Sequence, residues 1–258
     1  RSSDLLTQNA QPALMAMSLA ALRGLESEGF KINSCAYLAG HSLGEYSALA
    51  MSNAISVSDA ARLLRVRGLA MQQAVPVGVG AMAAILGLDF VTVQSLASEA
   101  QAKGVCQAAN DNDPSQVVIS GEKSAVEVAI ELAKNSGAKR AIMLPVSAPF
   151  HCELMAPAAE KMSVELENTK IEKPIIPIVS NVSAQAISDP AEIKELLVSQ
   201  VTGSVRWRES ILWMAKNSVD EIWEIGSGKA LSGMIRRIDK NISLKNISSP
   251  EDIGTVNF

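Results

Sequence analysis

Apolar residues recur at helical spacing at Leu14, Met17, Ala21, Leu22 and Leu25, and the run stops before Gly29, which predicts a helix over 11–28. The short apolar run Cys35 to Ala39 ends at Gly40 and reads as a buried strand, with helical character resuming from Glu45 to Met51. A further helix is predicted from Ser58 or Asp59, both good N-caps, to Ala74 before Pro76. The middle of the chain is the most legible part. Strands at Ala81–Leu88, Val105–Ala109, Gln116–Ser120 and Lys139–Val146 alternate with helices at Val91–Lys103 and Lys123–Asn135, and Asn110 to Ser115 reads as a turn-rich loop. That βαββαβ order is ferredoxin-like and predicts a small inserted domain over 78–147.

Beyond the insert, helices are predicted at Glu153–Glu167, Glu192–Val201, Glu209–Asn217 and Lys229–Ile238. Strands are predicted at Ile175–Ser180 and Glu221–Ile225, the latter followed by the turn Gly226-Ser227-Gly228. Strands alternating with helices imply an α/β fold whose large domain, 1–77 with 148–258, has a mostly parallel sheet covered on both faces.

Composition narrows the function classes. Charged residues make up 19% and the net charge is -4, with the two signs interspersed, so nothing suggests a nucleic-acid partner. No apolar run reaches the roughly 18 residues of a membrane span. Cys35, Cys106 and Cys152 are odd in number and far apart, which suggests neither a disulfide framework nor a zinc site, and a reducing, cytoplasmic compartment is the expectation. A monomer is expected. The chain begins at Arg1 rather than Met, so an N-terminal piece is expected to precede it.

Gly40-His41-Ser42-Leu43-Gly44 matches Gly-x-Ser-x-Gly in the required strand–turn–helix context. A nucleophilic serine needs a tight turn that exposes its hydroxyl, and flanking glycines avoid β-carbon clashes there. The Leu43 amide, at the start of the following helix, is placed to donate to an oxyanion. The plain alternative is a glycine-rich turn without chemistry.

A serine nucleophile needs a base. His41 diverges from its neighbour on a sharp turn, which leaves His151, in the proline-stiffened run before a helix, against the alternative of a histidine without chemistry. Cys152 as nucleophile would lack a second histidine to serve it. The group that orients the imidazole stays open among Asp189, Glu221, Glu224 and backbone carbonyls.

Arg67 falls on the apolar stripe Ala60, Leu63, Leu64, Ala70, Met71, Ala74, whereas Arg62 and Arg65 fall off it. A buried guanidinium must be paired. It can be held by a substrate carboxylate or by an acid from elsewhere in the fold, or it can snorkel to solvent.

Together these residues resemble the malonyl-CoA:acyl-carrier-protein transacylase family of type II fatty acid synthesis. The likeness runs through Gln11-Pro12-Ala13-Leu14, Gly40-His41-Ser42-Leu43-Gly44-Glu45, Arg67-Gly68-x-x-Met71-Gln72, Gly80-Ala81-Met82, and Asn110-x-Asn112-x-Pro114-x-Gln116 to Gly121. It continues through His151-Cys152, Gln200 to Trp207 and Glu224-x-Gly226-x-Gly228-Lys229. The resemblance implies an α/β-hydrolase-like large domain with the ferredoxin-like insert, Ser42 as acylated nucleophile and His151 as its base. It implies that Gln200 supplies the carbonyl that orients the imidazole and that Arg67 binds the malonyl carboxylate. Met71, Asn110 and Asn112 are expected beside the substrate, and a bulky Phe150 before the histidine goes with malonyl selection in related acyltransferases. The family opens with a strand and a Gly-Gln-Gly-Ser-Gln turn that nothing here matches.

The expected partners are malonyl-CoA and acyl carrier protein, both substrates, with no metal or redox cofactor. Carrier proteins are commonly acidic, which makes Arg236, Arg237 and Lys240 candidate docking cations. A serine esterase or thioesterase, or an inactive carrier-protein-binding module, are the rival readings. A patatin-like Ser–Asp hydrolase would need a late Asp-Gly pair, which is lacking.

Overall fold

The computed structural model describes residues 7–146 and 148–256. The chain enters through helix α1 (Thr7–Ser27), which buries Gln11, Met15, Leu19, Leu22 and Leu25. Leu22 and Leu25 are buried as expected, whereas Leu14 and Met17 are exposed and Gln11, Met15 and Leu19 take the inward face of the first turns. The alanine-rich sequence leaves the inward face ambiguous, and the tertiary partners choose it. Pro12 lies inside α1. It cannot donate to Gln8 O, and that carbonyl instead accepts from Arg65 Nη1 at 3.1 Å.

Strand β1 (Leu38–Ala39) leads into α2 (Gly44–Met51) and α3 (Val57–Gln73). The N-cap of α3 is Ser56, two residues earlier than expected, and its side chain accepts from the Asp59 amide. α3 crosses α1 closely at Gly68, where a β-carbon would lie 2.5 Å from Gln8 Cα. This contact sets Gln11 against Arg67.

The middle of the chain forms β2 (Gly80–Leu86), α4 (Phe90–Ala100), β3 (Cys106–Asp113), β4 (Gln116–Glu122), α5 (Lys123–Asn135) and β5 (Arg140–Met143). Its four strands are all antiparallel, in the order β3-β4-β2-β5. Alternate residues define the two faces. Ala81, Ala83, Ile85, Val117 and Ile119 pack under α4 and α5, while Met82, Ala109 and Val118 turn the other way and meet Leu144 and Phe150. The far end of the expected 78–147 segment, residue 147, lies outside the described residues.

The expected loop at Asn110 to Ser115 is a strand as far as Asp113. Its polar residues read as a turn, yet they are buried and paired. Asp111 bonds Arg208 and Asp113 bonds Arg237, both at 2.8 Å. Two register shifts bend the strand, and Asn110 bridges to Val205.

The remainder comprises α6 (Ala156–Glu167), β6 (Ile178–Val179), β7 (Ala186–Ile187), α7 (Pro190–Thr202), α8 (Trp207–Lys216), β8 (Glu221–Ile225), α9 (Ala230–Ile238), β9 (Ser243–Ile247) and α10 (Pro250–Ile253). Among the described residues, the strands of the expected mostly parallel sheet form two short sheets. β1 and β6 pair in parallel with β7 added antiparallel, and β8 pairs in parallel with β9. The predicted strand Ile175–Ser180 is cut to two residues. Pro174 and Pro177 precede it, and neither has an amide hydrogen for a ladder. Among the described residues no helix is long and apolar enough to cross a membrane.

Candidate active site

β1 ends at Gly40, and the chain turns through Ser42, whose φ is +53°, into α2. A β-carbon on Gly40 would lie 2.0 Å from the Gly44 carbonyl group, so the turn closes only over glycine there. Gly44 is different from expectation: a β-carbon on it meets nothing within 4 Å. The left-handed strain at Ser42 is held by Asn181, just after β6. Its Oδ1 accepts the Ser42 amide and its Nδ2 donates to Gly40 O, both at 2.7 Å.

Ser42 Oγ lies 2.8 Å from His151 Nε2, and His151 Nδ1 lies 2.8 Å from the Gln200 carbonyl oxygen. A carbonyl only accepts, so Nδ1 carries the proton and Nε2 is left to accept from the serine hydroxyl. Burial, and then the positive charge of Arg67, push His151 down to about 3, so the imidazole is neutral near pH 7. His151 itself sits at φ +59°.

The three acids left open as orienting groups all work elsewhere. Asp189 caps α7, Glu224 bonds the Leu231 and Ser232 amides at the start of α9, and Glu221 bonds Trp223 Nε1. Cys152, beside the histidine, is buried and donates to Pro149 O, and burial raises its thiol.

Arg67 is 1% exposed. Its Nη1 donates to Gln11 Oε1 and its Nη2 to Gln200 Oε1, each at 2.8 Å, and Nη2 also reaches Ser42 Oγ at 3.1 Å. All these partners are uncharged, and Nε is buried with no hydrogen-bond partner among the described residues. Among the described residues no acid lies within ion-pair distance of Arg67, although Glu45 acts on it through space, and the side chain does not snorkel to solvent. Arg62 and Arg65 do lie off the stripe, on Glu165 and on Gln8 and Asn9.

The other expected residues divide. The Leu43 amide has no hydrogen-bond partner among the described residues, and it sits at the N-cap of α2. Met71 is buried, with its sulfur taking a weak bond from Gln11 Nε2. Phe150 joins the main core to the second face of the four-stranded sheet. Asn112 does not reach Ser42; its Oδ1 bonds His41 Nε2 at 2.9 Å, and it therefore braces the elbow. Asn110 is buried in β3, its backbone bridged to Val205.

Sequence reading missed Asn181, and it gave Gln11 and Glu45 no role. Glu45, the first acidic residue of α2, is 1% exposed. Only its place one step after the elbow hinted at a site position.

A serine whose hydroxyl is bonded to a neutral, carbonyl-oriented imidazole on a strand–turn–helix elbow is the arrangement of enzymes that form an acyl-serine. The model of the acyl transferase domain matches residues 4–226, and the chain belongs to that family. It is 46% identical over 249 residues to the malonyl CoA-acyl carrier protein transacylase of Bacillus subtilis (strain 168), covering 96% of this chain and 78% of that protein. The crystal structure of acyl-carrier-protein-S-malonyltransferase from Bartonella henselae superposes with a TM-score of 0.95 at 51% identity, covering 98% of this chain and 81% of that one. A structure of a type II PKS acyl-carrier protein in complex with its malonyl-transacylase matches at 40% identity and a TM-score of 0.95, over 99% of this chain and 82% of that one.

Proposed function

We propose that this chain transfers a malonyl group from malonyl-CoA to the phosphopantetheine thiol of an acyl carrier protein through a malonyl-Ser42 intermediate. The observation that carries the reading is Arg67: a buried cation whose hydrogen-bond partners among the described residues are all uncharged, with an unsatisfied Nε–H and Nη2 3.1 Å from the serine hydroxyl. A carboxylate on the acyl group supplies what that guanidinium lacks. An ordinary ester or fatty acyl group does not, which disfavours a plain esterase or thioesterase. The names and likeness of the relatives support the same substrates.

In the first half-reaction His151 Nε2 takes the Ser42 proton as Oγ attacks the thioester carbonyl. The Leu43 amide donates to the oxyanion; one such donor is worth ~10²–10³ in rate. The tetrahedral intermediate expels the coenzyme A sulfur, which receives the proton from His151. In the second, His151 takes the proton of the pantetheine thiol, the sulfur attacks the malonyl-serine, and Ser42 leaves with that proton. The substrate carboxylate neutralises Arg67, one of the two main causes of the low basicity of His151. Donor binding therefore strengthens the base in the same event.

Phe150 and Met71 bound the acyl site in this reading. The large part of the chain is α/β-hydrolase-like and the segment near 78–147 ferredoxin-like, supported by the antiparallel order β3-β4-β2-β5. The chain works as a cytoplasmic monomer with no metal or redox cofactor.

The test is intact-protein mass after brief incubation with malonyl-CoA, beside acetyl-CoA and a Ser42→Ala control. A malonyl-sized adduct that needs Ser42 and does not form from acetyl-CoA is expected. Equal labelling by both donors would sink the carboxylate argument, and no adduct would sink the transferase reading.

A further inference from the structure

Glu45 is a buried carboxylate that the proposed chemistry does not use, linked through Gln200 to two of the groups that it does. Its Oε2 accepts from Gln200 Nε2 at 2.7 Å and from the Asn181 backbone amide at 3.2 Å. Gln200 Nε2 also donates to Ser42 O at 3.0 Å. Both acceptors face the amide nitrogen, so the Gln200 side chain has one permitted orientation, with Oε1 turned to Arg67 Nη2. The same residue's backbone carbonyl holds His151. One carboxylate thus fixes the residue that serves both the candidate anion binder and the candidate base. Through Asn181 it also steadies the clamp on Gly40 and Ser42.

We propose that ionised Glu45 is a positioning residue, locking Gln200 so that its side chain aims Arg67 and its carbonyl aims His151. The inference rests on the roles read for Ser42, His151 and Arg67 above. A charged acceptor makes bonds about twice as strong as a neutral one, so protonating Glu45 loosens both arms together.

The groups around Glu45 are few. Arg67 faces it from α3 and Tyr46 neighbours it on α2. His151 lies beyond Ser42 on the loop before α6. Ser180 and Asn181 after β6, Gln200 on α7 and Gln11 on α1 are uncharged. Burial outweighs the help of these partners and raises the Glu45 carboxyl to about 7, whereas the imidazole titrates near 3. An acid limb of kcat/KM near neutral pH is therefore the signature expected of Glu45 rather than of the base.

The test measures kcat/KM for acylation by malonyl-CoA from pH 5 to 8.5 in the full chain, in Glu45→Gln and in Glu45→Asp, with thermal unfolding to check folding. The expected profile of the parent rises about tenfold through pH 7. Glu45→Gln is expected to run about tenfold below the parent's plateau with that limb abolished, and Glu45→Asp to restore a limb. A lowered plateau with the limb unchanged means a structural role only and overturns the proposal, as does an unchanged Glu45→Gln profile. Should Glu45→Gln not fold, Glu45→Asp decides, because a limb that stays where the parent has it when the carboxylate is shortened overturns the proposal. A parent that forms no acyl-serine at any pH refutes the transferase reading instead, which keeps the two failures apart.

Discussion

Asn181 grips Ser42 from 139 residues away, accepting its amide at 2.7 Å while donating to Gly40 O at the same distance. The clamp spans the elbow and offsets the left-handed strain at Ser42. Asn181→Ala would leave a buried carbonyl and a part-buried amide unpaired, at about 1–3 kcal/mol each at full burial. A loss of about 2–4 kcal/mol in chemical denaturation is expected, with acylation slowed more than donor binding.

The two glycines of the elbow are expected to behave differently. Gly40→Ala forces a β-carbon to 2.0 Å from backbone and should destabilise by more than about 3 kcal/mol, or prevent folding. Gly44→Ala meets open space at the first turn of α2 and should change the unfolding midpoint by less than about 1 kcal/mol equivalent.

Arg67→Met removes the cation but keeps the volume of the side chain. Bonds to a charged group contribute about 1.5–3 kcal/mol, so kcat/KM for malonyl-CoA should fall ~10–10²-fold. Acetyl-CoA should lose far less. Adduct masses from the two donors in competition read this directly, and an equal loss for both would remove Arg67 from substrate selection.

The His151 shift also sets a stability slope. Its folded value, about 3, lies below the ordinary 6.5, so the unfolded chain binds the proton first and stability is lost as pH falls from 6.5 toward 3. Glu45 acts in the opposite sense: its raised value makes stability fall as pH rises from 4.5 to about 7. The two partly cancel in the parent chain. His151→Gln should therefore gain in Tm relative to the parent on going from pH 6.5 to 4, measured by calorimetry; parallel Tm profiles would contradict the burial argument.

The elbow, the pairing of Ser42 with His151 and the inward Arg67 were legible because each follows a local rule. A glycine-bounded serine after an apolar run, a lone unencumbered histidine and a cation on an apolar helical stripe are all visible in one dimension. The segment Asn110–Asp113 misled for the reverse reason. Four polar residues in a row look like a solvated turn, yet Arg208 and Arg237 arrive from distant helices to pair its aspartates, and so it is a strand.

What the sequence determined by itself, then, is the order of most elements and the candidate site side chains, since periodicity, caps and turn chemistry are properties of neighbours along the chain. Only the tertiary structure decided which face of α1 is buried and that Gln11 and Gln200 flank Arg67. It placed the Gln200 carbonyl, which the family resemblance implied and residue-by-residue reading left open, on His151, and it brought Glu45 and Asn181 under the elbow. The physical reason is desolvation. A polar group removed from water must take whatever partner packing brings to it, and that partner is chosen in three dimensions.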